Sequence, residues 1–376
     1  MTIEALERDP HPILARLRAA EPVSWLPALD GWLVTRYDLA DRVMRDAATF
    51  TVDDPRFSTA RVVGPSMLSL DGAEHARHRA PFTRSFRPGD VRERFATFVA
   101  DETQRLMAAV RPAGRAELRR SLAGPLSAAV VAEALGLSDV DTATMLRWYD
   151  AIVSAVSGVS VGRPIPASGA AAFDALSVSV EATLARGDQA SLLVRAGPPE
   201  GLNVSEAVSN AAVLMFGGIE TTEGMIANLA VHVLSHPDSL VALRADRTLI
   251  DAAVEESLRL EPAAAVVDRY ATGDVELGGA KIGRGDLVTV SIAGANRDPA
   301  VFADPDRFDV RRDNARQQLA FARGPHFCIG MDLARLEART ALGALLDLPG
   351  LRLADEAVPR GLVFRKPPAV HVAWRS

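Results

Sequence analysis

The chain has one cysteine, Cys328, within Phe321-Ala-Arg-Gly-Pro-His-Phe-Cys-Ile-Gly330. Gly324 and Gly330 flank it, and His326 lies two residues before it. In the following run, Met331 to Leu346, residues Leu333, Leu336, Ala338, Leu342 and Leu345 fall near helical spacing, which predicts a buried helix. A cysteine at the mouth of a helix meets unpaired backbone N–H groups and the positive end of the dipole. Both favour thiolate over thiol. The glycines let the backbone fold closely over the sulfur. Such a thiolate can bind a metal, attack a substrate with His326 as base, or simply fill space as a small apolar group. A structural zinc site wants about four ligands, which a lone cysteine does not supply. Haem iron needs one proximal protein ligand, and cysteine is among those that serve.

Three other groupings could do chemistry. His75 and Arg79 stand four residues apart in Asp71-Gly-Ala-Glu-His-Ala-Arg-His-Arg79 and so share a helix face. Two such cations oppose one another unless an anion sits between them; the plainer reading is a solvated basic face. Phe216-Gly-Gly-Ile-Glu-Thr-Thr222 lies in the middle of a long apolar run. Each glycine costs a helix interior about 1 kcal/mol relative to alanine, and a buried carboxylate at Glu220 is costly unless paired. Local rules broken together point to a functional site; close helix packing on the glycines, with a threonine bonding backward, is the alternative. Glu256 and Arg259 are spaced for pairing on one helix.

The elements that must position these groups are mainly helical. Asn203-Val-Ser-Glu206 has the form of a capping box, and the helix it opens runs to His236, before Pro237, spanning about 50 Å. Other helices are expected over 11–20, 39–45, 91–110, around Pro125 in 118–136, over 141–157, 170–186 and 249–260, with a flexible connection at 157–169 and a loop at 51–66. Strands are expected in 23–35, in 275–292 and as a hairpin within 362–374. No linker, repeat or low-complexity block divides the 376 residues, so they are expected to form one domain. At 48% hydrophobic and 24% charged the chain reads as globular, and its net charge of −6 argues against nucleic acid as the main partner. One cysteine excludes a disulfide framework and fits a reducing cytoplasm. The N-terminus has no apolar run, so neither signal peptide nor membrane anchor is expected.

Phe321-x-x-Gly324-x-His326-x-Cys328-x-Gly330 resembles the haem-binding signature of the cytochrome P-450 family, and the other groupings match further motifs of that family in order along nearly the whole chain. The resemblance implies the mainly α fold with a smaller β region, a long central helix over a buried haem, and a soluble, bacterial-type member. It implies that Cys328 ligates the iron of haem b and that His75, Arg79, Arg269 and His326 hold the propionates. It makes Glu220 and Thr221 the proton-delivering pair and the helices around 141–186 a lid. Glu256, Arg259 and Arg307 become a structural lock. Pocket contacts are expected from Val62, Val63, Val213, Phe216, Gly217, Ala265, Val266 and Val363. Arg323 is expected near a propionate or the redox partner, and Arg77, Arg84 and Arg87 on a docking surface. The implied reaction is insertion of one oxygen atom from O2 into a hydrophobic small molecule, plausibly of secondary metabolism. Electrons would come from NAD(P)H through ferredoxin reductase and ferredoxin. Oxidative coupling or rearrangement on the same haem, a haem carrier without turnover, and a cysteine hydrolase are the competing readings. Ala322 departs from the pattern, standing where most members carry glycine.

Overall fold

The computed structural model describes residues 2–160, 163–198 and 201–375. Its organising element is the helix Val204–Ser235, 32 residues long. Asn203 accepts from the Glu206 N–H at 3.0 Å, and the Glu206 carboxylate accepts from the Asn203 N–H at 2.9 Å. This reciprocal pair satisfies orphan donors of the first turn. Pro237 then opens a new helix, Pro237–Ala245, in a new direction. Apolar residues cover most of the central helix, so it is buried nearly all round. It packs against Gly124–Leu135 on one side and Met331–Leu346 on another, with Ile250–Leu260 nearby. At Gly218 a side chain would begin 2.6 Å from Val131 Cγ2. That glycine therefore serves close helix packing.

Thr142–Ser160 and Ala167–Arg186 pack on each other and on the N-terminal half of the central helix. The expected flexible connection is thus largely helical at both ends, and its residues 161 and 162 lie outside the described residues. The stretch 51–66 is not all loop: Ser58–Val63 forms a helix. The helix expected at 39–45 begins at Tyr37 and has no side-chain cap, in place of the Asp38 cap.

A five-stranded sheet has the order Val23–Leu26, Gly31–Val34, Leu287–Ser291, Val266–Ala271, Phe50–Thr51. Gly31–Val34 runs parallel to Leu287–Ser291, and the remaining pairs are antiparallel. Val275–Leu277 and Ala280–Ile282 form a separate hairpin. The expected C-terminal hairpin is absent. His371–Ala373 instead pairs with Arg115–Glu117 and Arg352–Leu353, far away in sequence, and around Leu362 two isolated antiparallel bridges form, Ala264 with Phe364 and Arg360 with Lys366.

The lock behind the cysteine loop differs from expectation. Arg259 is fully buried; its Nε and Nη2 donate to Glu256 at 2.8 Å each, and it also reaches the carbonyls of Asn296, Pro305 and Arg307. The second cation on Glu256 is Arg312, whose Nε lies 3.0 Å from both carboxylate oxygens. Arg307 contributes a backbone carbonyl, and its side chain is exposed. The chain turns between these positions, which points the Arg307 side chain to solvent and returns Arg312 inward.

Candidate functional site

A cavity of about 270 Å³ lies between the central helix and the cysteine loop. Cys328, His326 and Arg79 line it together with Val213, Gly217 and Thr221. Those last three stand at i, i+4 and i+8 on one helix face. At Gly217 a side chain would meet nothing within 4 Å, so this glycine widens the cavity where its neighbour Gly218 tightens the packing. The Thr221 hydroxyl donates to the Gly217 carbonyl at 2.5 Å. This back-bond is the one that a threonine commonly makes within a helix, and it keeps the hydroxyl at the cavity wall.

Phe216 and Glu220 occupy the adjoining face. Phe216 is buried edge-to-face against Phe364, with ring centroids 5.3 Å apart, and is not a lining residue. Glu220 is buried outside the lining, where its carboxylate meets Lys366 Nζ at 2.8 Å and accepts from the Tyr149 hydroxyl. Two further pocket residues are corrected: Val267, Ala263 and Ala264 line the cavity, whereas Ala265 and Val266 turn to a small pocket among Leu6, Leu14 and Leu33. Val363 is 41% exposed. Val62 and Val63 belong to the helix Ser58–Val63 and pack toward the lid helices; Met67 and Leu68 are the cavity residues of that region. The Met67 N–H donates to Asn210 Oδ1 at 3.0 Å, which ties this stretch to the central helix.

The cysteine loop is a network of short turns. The Cys328 N–H donates to the Phe321 carbonyl at 2.8 Å, and residues Gly324–His326 form a single 3₁₀ turn. Gly324 has φ +72°, and a side chain there would begin 2.4 Å from the Met44 carbonyl. Ala322 has φ +57°, a left-handed conformation that glycine adopts freely and alanine at a cost. Arg323 spans the loop's own base, donating to the Gln317 and Gln318 carbonyls. Burial pushes the Cys328 thiol up; the Gly330 N–H and Arg79 oppose it without prevailing. The helix start alone therefore does not offset the burial of this thiol.

At one edge of the cavity the expected propionate ligands gather around Asp71. The Asp71 carboxylate accepts from His326 Nε2 at 2.8 Å, from the Thr51 hydroxyl at 2.6 Å and from the Val52 N–H at 2.8 Å. Burial alone would push this carboxyl up, but these contacts outweigh it and hold the carboxyl down at about 2. His75 stacks near His326, with ring centroids 4.4 Å apart, and its buried Nε2 has no partner. Burial, then His326 and Arg79, push His75 down to about 4. Burial likewise lowers Arg79 and Arg269. Arg79 reaches the Phe327 carbonyl at 2.5 Å and Arg269 the Asp268 carbonyl at 2.7 Å. The buried guanidinium of Arg269, the half-buried one of Arg79, an orphaned imidazole nitrogen and the Asp71 carboxylate leave room for further negative charge. A thiol facing a large apolar cavity, with that charge deficit at its edge, fits a flat apolar macrocycle carrying acidic arms and a metal ion.

Sequence reasoning missed Asp71, Tyr149, Glu223, Lys366 and Glu337. Asp71 opens the same stretch as His75, and nothing in its spacing revealed a contact 255 residues away. Glu337 lines the cavity, is buried with Oε2 unpartnered, and burial holds its carboxyl well above the usual range. Of the basic residues expected on a docking surface, Arg77 is bound to Glu74 and Glu206, whereas Arg84 and Arg87 are exposed.

A sequence model described as "Cytochrome P450" matches residues 186–348. The chain is 39% identical to the cytochrome P450 monooxygenase PikC of Streptomyces venezuelae over 98% of this chain and 91% of that one. It is 32% identical to the mycinamicin IV hydroxylase/epoxidase of Micromonospora griseorubida over 95% and 94%. Among solved structures, CalO2 superposes with a TM-score of 0.90 at 30% identity, covering 98% of this chain and 97% of that one. P450BioI, in complex with hexadec-9Z-enoic acid ligated acyl carrier protein, superposes with a TM-score of 0.89 at 28% identity, covering 99% and 100%.

Proposed function

The chain belongs to the cytochrome P450 family of haem monooxygenases, and from that premise we propose that it inserts one O2-derived oxygen atom into a C–H or C=C bond of an apolar small molecule. The observation that carries this reading is the single cavity shared by Cys328 and Thr221, walled by aliphatic side chains. Haem bound there supplies the redox and oxygen-cleaving chemistry. Cys328 would hold its iron, and His75, Arg79, Arg269 and His326 its propionates.

The chain's own residues do the rest. Met67, Leu68, Val131, Val213, Ala264 and Val267 exclude water and take up substrate by burying its apolar surface. Gly217 leaves space beside the central helix, and the Thr221 hydroxyl can turn from the Gly217 carbonyl to donate into that space. Glu220, one residue earlier, supplies protons toward Thr221 from outside the lining, which is general acid work. The mycinamicin IV hydroxylase/epoxidase among the relatives supports a secondary-metabolite substrate. Electrons would pass from NAD(P)H through a ferredoxin reductase and a ferredoxin in the cytoplasm, with Arg84 and Arg87 contributing to docking of an acidic donor. Among the described residues, no helix is long and apolar enough to cross a membrane.

The test has two parts. The reduced protein with carbon monoxide should give a strongly red-shifted Soret band that Cys328→Ser abolishes. Thr221→Ala should divert NADPH to peroxide; unchanged product yield would remove the role given to Thr221.

A further inference from the structure

Buried charge is densest beside the cavity. Glu220 and Glu223, three residues apart on the central helix, are 5% and 1% exposed. Lys366 Nζ lies 2.8 Å from Glu220 and 2.6 Å from Glu223. The Tyr149 hydroxyl donates to Glu220 and accepts from Lys366 Nζ at 3.1 Å. Arg119 binds Glu223 at 3.1 Å and donates to the Pro367 and Pro368 carbonyls at 3.1 and 2.6 Å, which fixes the segment that carries Lys366. Two carboxylates thus meet two cations and one phenol, drawn from the central helix, the helix Thr142–Ser160, the turn Arg119–Ala123 and the C-terminal segment. Burial alone would push Glu223 up, but Lys366 and Arg119 outweigh it and hold it low.

The residue types separate two jobs. The chain's 42 basic residues include only two lysines, Lys281 and Lys366. Its rigid locks use arginine, as at Glu256 and on Glu223. A planar guanidinium suits a fixed fork; an ammonium on a flexible stem can keep its charge while changing partners. Lys366 has two carboxylates to choose between, and Arg119 keeps Glu223 neutralised when Lys366 leaves it.

We propose that Lys366 is the positioning residue for Glu220, and that with Tyr149 it clamps the carboxylate outside the cavity, so that the helix Thr142–Ser160 and the C-terminal segment control when the acid can serve Thr221. This rests on the reading of Glu220 as the proton supplier. The carboxylate is attached to the cavity wall through its own helix, and its two partners sit on other elements, the helix Thr142–Ser160 and the C-terminal segment. A shift of either one lengthens a hydrogen bond to Glu220 without disturbing Thr221.

The experiment compares holoenzymes of wild type, Lys366→Met, Lys366→Arg, Tyr149→Phe, Glu220→Gln and the double variant Glu220→Gln/Lys366→Met. The readouts are pH-difference infrared spectra of carboxyl groups and the pH profile of peroxide release with a surrogate ferredoxin and reductase. Without its counter-ion Glu220 should bind a proton more readily. Lys366→Met should then show a carboxylic-acid band that the double variant loses, and its peroxide profile should move upward by about one pH unit or more, as expected on removing an opposite charge at contact distance. Lys366→Arg should restore the wild-type band pattern and profile. No new band and an unmoved profile in Lys366→Met would overturn the proposal. Should that variant not fold, Tyr149→Phe keeps the ring and decides the matter by the same band. Unchanged peroxide release in Glu220→Gln would instead remove the proton-supply reading, while the infrared arm would still report on the clamp.

Discussion

Replacing Arg312 by alanine removes the second cation from a carboxylate that has no access to water. Glu256 is 0% exposed, and Arg312 Nε is 3.0 Å from both of its oxygens. The same guanidinium donates to the Ala303, Asp304 and Arg307 carbonyls at 2.5, 3.1 and 3.2 Å, so its loss also strands loop acceptors. Breaking a buried pair costs about 3–5 kcal/mol. Arg259 stays on Glu256, which places Arg312→Ala at the lower end, about 3 kcal/mol. Arg259→Ala removes two bonds to Glu256 and three to carbonyls from a site with no solvent, and should reach the upper end, about 5 kcal/mol. Arg307→Ala truncates an exposed side chain whose carbonyl remains, and should stay within about 0.5 kcal/mol of wild type. With an unfolding entropy of about 2.1 cal/mol/K per residue, 3 kcal/mol corresponds to a melting shift of about 4 °C in a chain of this length. Melting followed by far-ultraviolet circular dichroism, with haem content measured on the same samples, reads all three. If Arg307→Ala falls as far as Arg312→Ala, the assignment of the lock to Arg312 is wrong.

Other expectations follow from the loop and the buried acids. Gly324→Ala should lower stability and haem retention sharply, because φ is +72° and the new Cβ would press on the Met44 carbonyl. Ala322→Gly should change stability by less than about 1 kcal/mol, since relief of left-handed alanine is offset by the added freedom of the unfolded chain; a large loss measured by denaturant unfolding would refute that balance. Asp71→Asn should destabilise at pH 7. The folded carboxyl is held down at about 2 against an ordinary 3.8, so the stability it adds is present above pH 4 and fades toward pH 2, where mutant and wild-type melting curves should converge. Glu337→Gln should do the opposite. Its folded carboxyl is held well above the usual range, so the wild type is penalised as pH rises above the unfolded value, and the glutamine variant should gain relative stability between acid and neutral pH. A pH-independent difference would show that Glu337 is not protonated in the fold.

What the sequence reveals depends on whether a signal is local. The capping box at Asn203, the stop of the long helix before Pro237 and the helix after Cys328 are set by residues within a few positions of one another, and all three stand where spacing places them. The pocket residues on the central helix divide along the same helical period: Val213 and Gly217 face the cavity, and Phe216 stands one face away. At 263–267 the chain is only entering the strand Val266–Ala271, so no single period assigns Ala264 and Val267 to the cavity and Ala265 and Val266 to the small pocket beside it. The remaining failures concern partners far apart in the chain. Arg307 and Arg312 are equivalent arginines on paper, and only the turn between them chooses which one returns to Glu256. Lys366 is 146 positions from Glu220 by sequence number and follows no periodic pattern, yet its rarity in an arginine-rich chain was visible from composition. A residue type that the chain almost never uses, placed against the acid of a proton-delivering pair, is a signal that periodicity cannot carry and a residue count can. Composition narrowed the search to two lysines, and the fold decided between them: Lys281 lies on the exposed face of a hairpin strand, and Lys366 points into the charge cluster.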